Sequence, residues 1–180
     1  MSNTRNFFKK SKHYFDILRR YLSDIVYGAT DGIITTFVVV SGVEGAKLAP
    51  SVVLVLGIVN LFADGLSMGA SSFLSLRATA VVKQISKGYV IPFFHASFTF
   101  FAFVIFGAIP LISFLIPGVF EYRFIISCIV TAITLFFVGT LRSFVSDEHW
   151  LVGGLEMLSI GGVAASIAYF LGHIVAQWIS

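Results

Sequence analysis

At 180 residues, 57% of them hydrophobic and 12% charged, the chain is too apolar for a soluble globular domain, in which about a quarter of residues are charged. A mean hydropathy of +0.94 assigns it to a membrane and excludes a soluble enzyme or cytoplasmic binding module. The net charge of +3 and pI near 9.1 reflect basic residues gathered on one side of that membrane and require no nucleic-acid partner.

Residues 1–24 form a polar, basic lead-in. In RNFFKKSKHYFDILRRYLSD, Phe7, Phe8, Tyr14, Phe15, Leu18 and Leu22 recur at near-helical spacing with Lys and Arg between them. This pattern predicts an amphipathic helix in the inner interface, although a plain juxtamembrane anchor has the same charge patterning. No short apolar stretch with a small-residue cleavage site opens the chain, so no cleaved signal peptide is expected. Residues 25–180 then contain five apolar runs, approximately 25–45, 51–75, 92–116, 123–145 and 151–178. Each has about the 20 residues a helix needs to cross a hydrocarbon core of roughly 30 Å. The expected fold class is all-α: a polytopic membrane protein with five transmembrane helices.

Ten of the twelve Lys and Arg residues fall on one side: Arg5, Lys9, Lys10, Lys12, Arg19 and Arg20, then Arg77, Lys83 and Lys87, then Arg142. The other side has Lys47 and Arg123. The positive-inside rule therefore makes the amino terminus cytoplasmic, and five crossings leave the carboxyl terminus outside. Small-xxx-small pairs, Gly28 with Gly32 and Gly65 with Gly69, predict close packing of the first two helices or of two copies of them. Gly153, Gly154, Gly161 and Gly162 serve the fifth span in the same way. Pro110 predicts a kink in the third span. That span, FFHASFTFFAFVIFGAIPLISFL, is crowded with Phe and nearly free of polar groups, and is expected at the lipid-facing periphery.

Three carboxylates, Asp31, Asp64 and Glu156, interrupt these runs with no Lys or Arg close by in sequence. A charge in lipid is retained when it has a function or a partner, and a bound cation is the obvious compensation. Asn60, Asp64 and Met68 are spaced by four and share one helical face; Tyr27, Asp31 and Thr35 do the same on the first span, and Met157 follows Glu156. At 1.5 Å per residue, Asp31 lies about 9 Å from the cytoplasmic end, Asp64 roughly 18 Å, Met68 about 12 Å and Glu156 roughly 8 Å. One site assembled from several helices is therefore geometrically possible. Carboxylates with an amide suit hard divalent ions, and a thioether tilts the set toward a softer first-row metal such as Fe²⁺, with Mn²⁺ also accommodated. Acids in such a place take up protons when the cation leaves and release them when it binds, which is a route to antiport.

Plainer readings stand beside these. Asp31 near a helix end also caps or snorkels, Met68 also fills a gap, Asn60 also bonds between helices, and Glu156 reaches the interface. His95 and His173 lie toward opposite faces and are separate proton-relay candidates. His13 and His149 are exposed loop residues, the latter beside Asp147 and Glu148. Cys128 is a small packing residue in the fourth span, and a lone cysteine forms no disulfide framework.

The motifs YGATDGIITTFVVVSGVEGA, NLFADGLSMGASSFLS and GLEMLSIGGVAASIAYFLG resemble the vacuolar iron transporter family, including its yeast calcium-cross-complementer and plant nodulin-like branches, over essentially all five spans. The resemblance implies a five-span homodimer moving Fe²⁺, and in some members Mn²⁺, out of the cytosol in exchange for protons along the dimer axis. It implies that Asp31 is the pathway aspartate and Met68 the pathway methionine. Asn60 falls where many plant and yeast-like members have Glu, and Asp64 is read as supplying the missing charge. Plant-like members also carry a long, Glu-rich cytoplasmic insertion after the second span, where this chain has only LRATAVVKQISKGYVIP.

The expected function is thus proton-coupled export of Fe²⁺ or Mn²⁺, as transported substrate and not cofactor, through Asp31, Asn60, Asp64, Met68 and Glu156. The alternative is a non-transporting assembly or sensor subunit that uses the buried polar residues for helix association. An enzyme is not expected, because no nucleophile and base share a depth. The short chain without the insertion favours a prokaryotic inner membrane over a vacuolar one.

Overall fold

The structure is a computed structural model describing residues 2–82, 90–118, 121–146 and 148–179, with side chains from Tyr21 onward except at positions 90 and 145. All regular structure in these residues is helical. In chain order the helices are α1 (Ser2–Gly45), α2 (Pro50–Val82), α3 (Val90–Gly107), α4 (Ile112–Leu115), α5 (Arg123–Ser146) and α6 (Trp150–Ile179), with a 3-10 turn at Ile109–Leu111. Among them are five stretches long and apolar enough to cross a membrane: Tyr21–Gly45, Pro50–Val82, Ile91–Leu115, Arg123–Phe144 and Trp150–Ile179. The polytopic all-α expectation holds. The side chains of the basic lead-in up to residue 20 lie outside those described; its backbone continues α1 without a break.

Directions alternate, as successive crossings require. α1 and α3 run parallel, with Asp24, Gly28 and Gly32 facing His95, Thr99 and Phe103. α2 runs antiparallel to α3, so that Gly57 meets Leu111 and Gly69 meets Ala96. α1 ends in a Schellman motif: the Leu48 amide donates to the Val43 carbonyl (3.1 Å) and the Lys47 amide to that of Glu44 (2.9 Å). Lys47 occupies the left-handed position with φ of 54°, where a glycine is usual because it has no Cβ to clash.

The third span is not peripheral. Phe103 and Thr99 are each 1% exposed, and both glycine pairs of the first two helices pack on α3 instead of on each other. A Cβ at Gly32 would sit 2.3 Å from the Phe103 carbonyl oxygen, and one at Gly28 would sit 2.4 Å from that of Thr99. Gly65 faces Phe103 and Val104, and Gly69 faces Ala96 and Phe100. The apolar richness of α3 therefore meets protein along two seams, while Phe93, Phe101 and Ile105 keep an outward face. The kink occurs at Pro110, where α3 gives way to the 3-10 turn and α4. Proline has no amide to continue the helix, and the Ser127 hydroxyl of α5 donates to the Pro110 carbonyl (2.8 Å) and fastens the bend.

α1 changes neighbours along its length. Its stretch from Tyr21 to Gly32 lies against α3, whereas toward its carboxyl end Gly42 and Gly45 meet α6, with a Cβ at Gly45 only 2.1 Å from the Tyr169 carbonyl oxygen. α5 and α6 form an antiparallel hairpin in which Gly139 faces Gly153 and Leu135 faces Gly161. A Cβ at Gly162 would meet nothing within 4 Å among the described residues.

Candidate metal pathway

α2 buries one stripe, Val53, Gly57, Leu61, Gly65 and Gly69. Asn60, Asp64 and Met68 each precede a residue of that stripe and are half-buried at its border. The Asn60 amide donates to Asp64 Oδ2 at 2.8 Å. This bond lies within one helix, one turn apart, so Asn60 orients the carboxylate and is not tied to a neighbouring helix through it. Asp31 is half-buried on α1, with the Thr35 hydroxyl donating to its backbone carbonyl at 2.7 Å. Asp64 is half-buried on the neighbouring helix α2. Among the described residues neither carboxylate has an ion-pair partner, and no group of three His, Cys, Asp or Glu side chains is arranged to hold a metal. The chain offers here two acids and an amide, fewer oxygens than the six or so that hard divalent ions take. The residues around them, Tyr27, Phe62 and Leu66, are exposed.

Glu156 stands elsewhere, and its expected lack of a basic neighbour is corrected. Arg142 of α5 donates to Glu156 Oε2 at 3.0 Å and lies 4.0 Å from Glu148. The α5–α6 hairpin brings these residues together across the turn. Beside them is a cavity of about 340 Å³ lined by Ser23, Val26, Tyr27, Thr30, Arg142 and Met157. Tyr27 is one turn from Asp31 on α1, so this cavity links the Arg142 cluster to the helix that carries the aspartate.

A further acid escaped the sequence reading. Asp24 Oδ2 is hydrogen-bonded to His95 Nδ1 across the α1–α3 seam, with side chains 22% and 11% exposed. Tyr21 stacks on the imidazole at 4.7 Å. Asp24 precedes the apolar run by one residue, and the available signal was its spacing of seven from Asp31, which keeps both acids near one helical face. His173, near the opposite end of the bundle, contacts Gln177 at 3.0 Å.

A family model described as the VIT family matches residues 22–86 and 79–173. The chain belongs to the VIT family. The vacuolar iron transporter of Plasmodium berghei is 25% identical over 243 aligned positions that cover 97% of this chain and 89% of the relative. Vacuolar iron transporter homolog 3 of Arabidopsis thaliana is 27% identical over 184 positions, covering 94% and 91%. A Plasmodium falciparum vacuolar iron transporter is 51% identical over 57 residues, 32% of this chain. The two matched VIT segments meet at 79–86, where α2 ends. The connection 83–89, read from sequence as brief and basic, lies outside the described residues, between Val82 and Val90. The P. berghei alignment exceeds this chain's own 180 residues, so that relative has additional residues within the matched region.

Proposed function

We propose that this VIT-family protein is a homodimeric exporter of divalent transition metal, Fe²⁺ and also Mn²⁺, which carries the ion out of the cytoplasm in exchange for protons. The observation that carries the reading is the pair Asp31 and Asp64, two half-buried acids on the neighbouring helices α1 and α2, without a basic partner among the described residues. Acids facing lipid are costly, and a two-fold partner presenting the same face would cover them and double the available ligands. The names of the relatives support iron as cargo.

In this reading Asp31, Asp64 and Met68 receive the ion, Asn60 orients Asp64, and Glu156 with Arg142 stands at the cytoplasmic intake, beside the cavity that reaches Tyr27. The membrane is vacuolar-type or a prokaryotic inner membrane. The test is transport in proteoliposomes with a trapped Fe²⁺-responsive dye. Metal flux with opposite proton movement is expected; intact flux in both Asp31→Ala and Asp64→Ala, with loss of dimer, would favour helix association as the sole role of the acids.

Two smaller effects follow. Met68→Leu keeps volume but removes the thioether, so selectivity for Fe²⁺ over Mn²⁺ in competition assays should fall by about threefold to tenfold, while total flux stays within about twofold. Glu156→Gln should raise the apparent KM for metal by about threefold and leave the maximal rate within about twofold, because Arg142 already holds that carboxylate away from the two aspartates.

A further inference from the structure

We propose that Asp24 and His95 form the proton-binding site of the exchange, separate from the residues that receive the metal. The inference rests on the transport reading above and adds the identity of the proton carrier.

The two groups belong to different helices, α1 and α3, and meet in a mostly buried seam. Imidazole is the side chain whose ordinary titration falls between pH 5 and 8. Held between Asp24 Oδ2 and His95 Nδ1, one proton leaves the pair neutral overall, as carboxylate and imidazolium; its loss leaves a single negative charge inside the membrane. That charge lies seven residues from Asp31 on the same helix, about 10 Å along the axis, and residues 25–30 between them carry none. At such a separation inside a low-dielectric bundle a metal ion at Asp31 and Asp64 and a proton on the pair repel each other. Each site therefore favours emptying the other, which is the requirement for exchange.

Among the described residues, the pair is the titratable element in this seam. Tyr21 of α1 covers the ring, and Phe98 of α3 lies 5.0 Å from Tyr21. Residues 91–102 of α3 contain no other titratable side chain. Among the described residues the charged group at this end of α2 is Arg77, whose guanidinium lies over Phe73 at 5.6 Å. Arg142 of α5 lines the cavity on a different face of α1, with Ser23, Val26 and Thr30, and its partners Glu148 and Glu156 stay with it.

The experiment uses vesicles holding the full protein and a trapped pH indicator, driven by an Fe²⁺ gradient. In His95→Gln, which retains a hydrogen-bonding side chain but cannot titrate, metal flux should stay above about half of wild type. Metal-driven proton movement should fall at least about fivefold, and the pH profile of flux between 5 and 8 should flatten. Asp24→Asn should behave alike. Wild-type proton coupling in both variants overturns the proposal and leaves metal transport standing, as does wild-type protein that moves metal without protons; wild-type protein that moves no metal removes both readings. Because variants in a packed seam can fail to fold, ¹⁵N-imidazole NMR of the reconstituted protein, with His13, His149 and His173 replaced by Gln, supplies an independent readout. His95 is expected to change protonation between pH 5 and 8, and a ring that keeps one state throughout overturns the proposal.

Discussion

Replacing Asp31 with alanine is expected to reduce Fe²⁺ flux in proteoliposomes at least about tenfold to a hundredfold, an effect no other single side chain should match. Outer-shell groups of metal sites are typically worth about ten to a hundred in affinity or activity, and a direct ligand is worth no less. Asp31 has no intrahelical stand-in comparable to Asn60, which bonds Asp64 at 2.8 Å. Its backbone environment is independent of the carboxylate, since Thr35 bonds the carbonyl. The variant should therefore fold and elute as wild type does. Flux within twofold of wild type would remove Asp31 from the pathway.

Gly32→Leu should be the most damaging substitution to stability. Even the first carbon of the new side chain would lie 2.3 Å from the Phe103 carbonyl oxygen and 3.0 Å from its Cα, and these are backbone atoms that no rotamer change can move aside. Overpacking in a filled core typically costs about 1–3 kcal/mol; here the whole α1–α3 seam must separate, so the upper end or beyond is expected. Thermal unfolding followed by fluorescence-detected size exclusion should show a loss of several degrees or of the monodisperse peak. As a control, Gly162→Leu, which meets nothing within 4 Å, should leave the melting temperature nearly unchanged.

The spans were legible because twenty consecutive apolar residues leave few alternatives, whereas the place of α3 was not. Hydropathy reports that Phe103 avoids water; it does not say whether the ring meets lipid or another helix. The clue lies on other segments: the glycine pairs on α1 and α2 each open a seam, and α3 enters both, with its backbone against Gly28 and Gly32 and its phenylalanines against Gly65 and Gly69. Glu156 was misjudged because Arg142 is fourteen residues away in sequence and reaches it only through the register of the α5–α6 hairpin. The stripe of Asn60, Asp64 and Met68 was readable directly, since helical periodicity puts positions four apart on one face. Asp24 is not legible in the sequence because it stands one residue before the apolar run and its histidine partner lies 71 residues away.

The contacts of α1 have a mechanical consequence. Backbone touches backbone at Gly28 and Gly32 on one half, and at Gly45 on the other, with no space for a methyl group at any of the three. Such a helix is clamped at two heights by different neighbours, like a lever with a bearing at each arm. Any tilt of α1 at the Gly28–Gly32 end must drag α3 along or shear past it, and the opposite arm is then pressed into α6. The two ends of α1 are therefore coupled through one rigid rod, and neither can shift without moving a different neighbour.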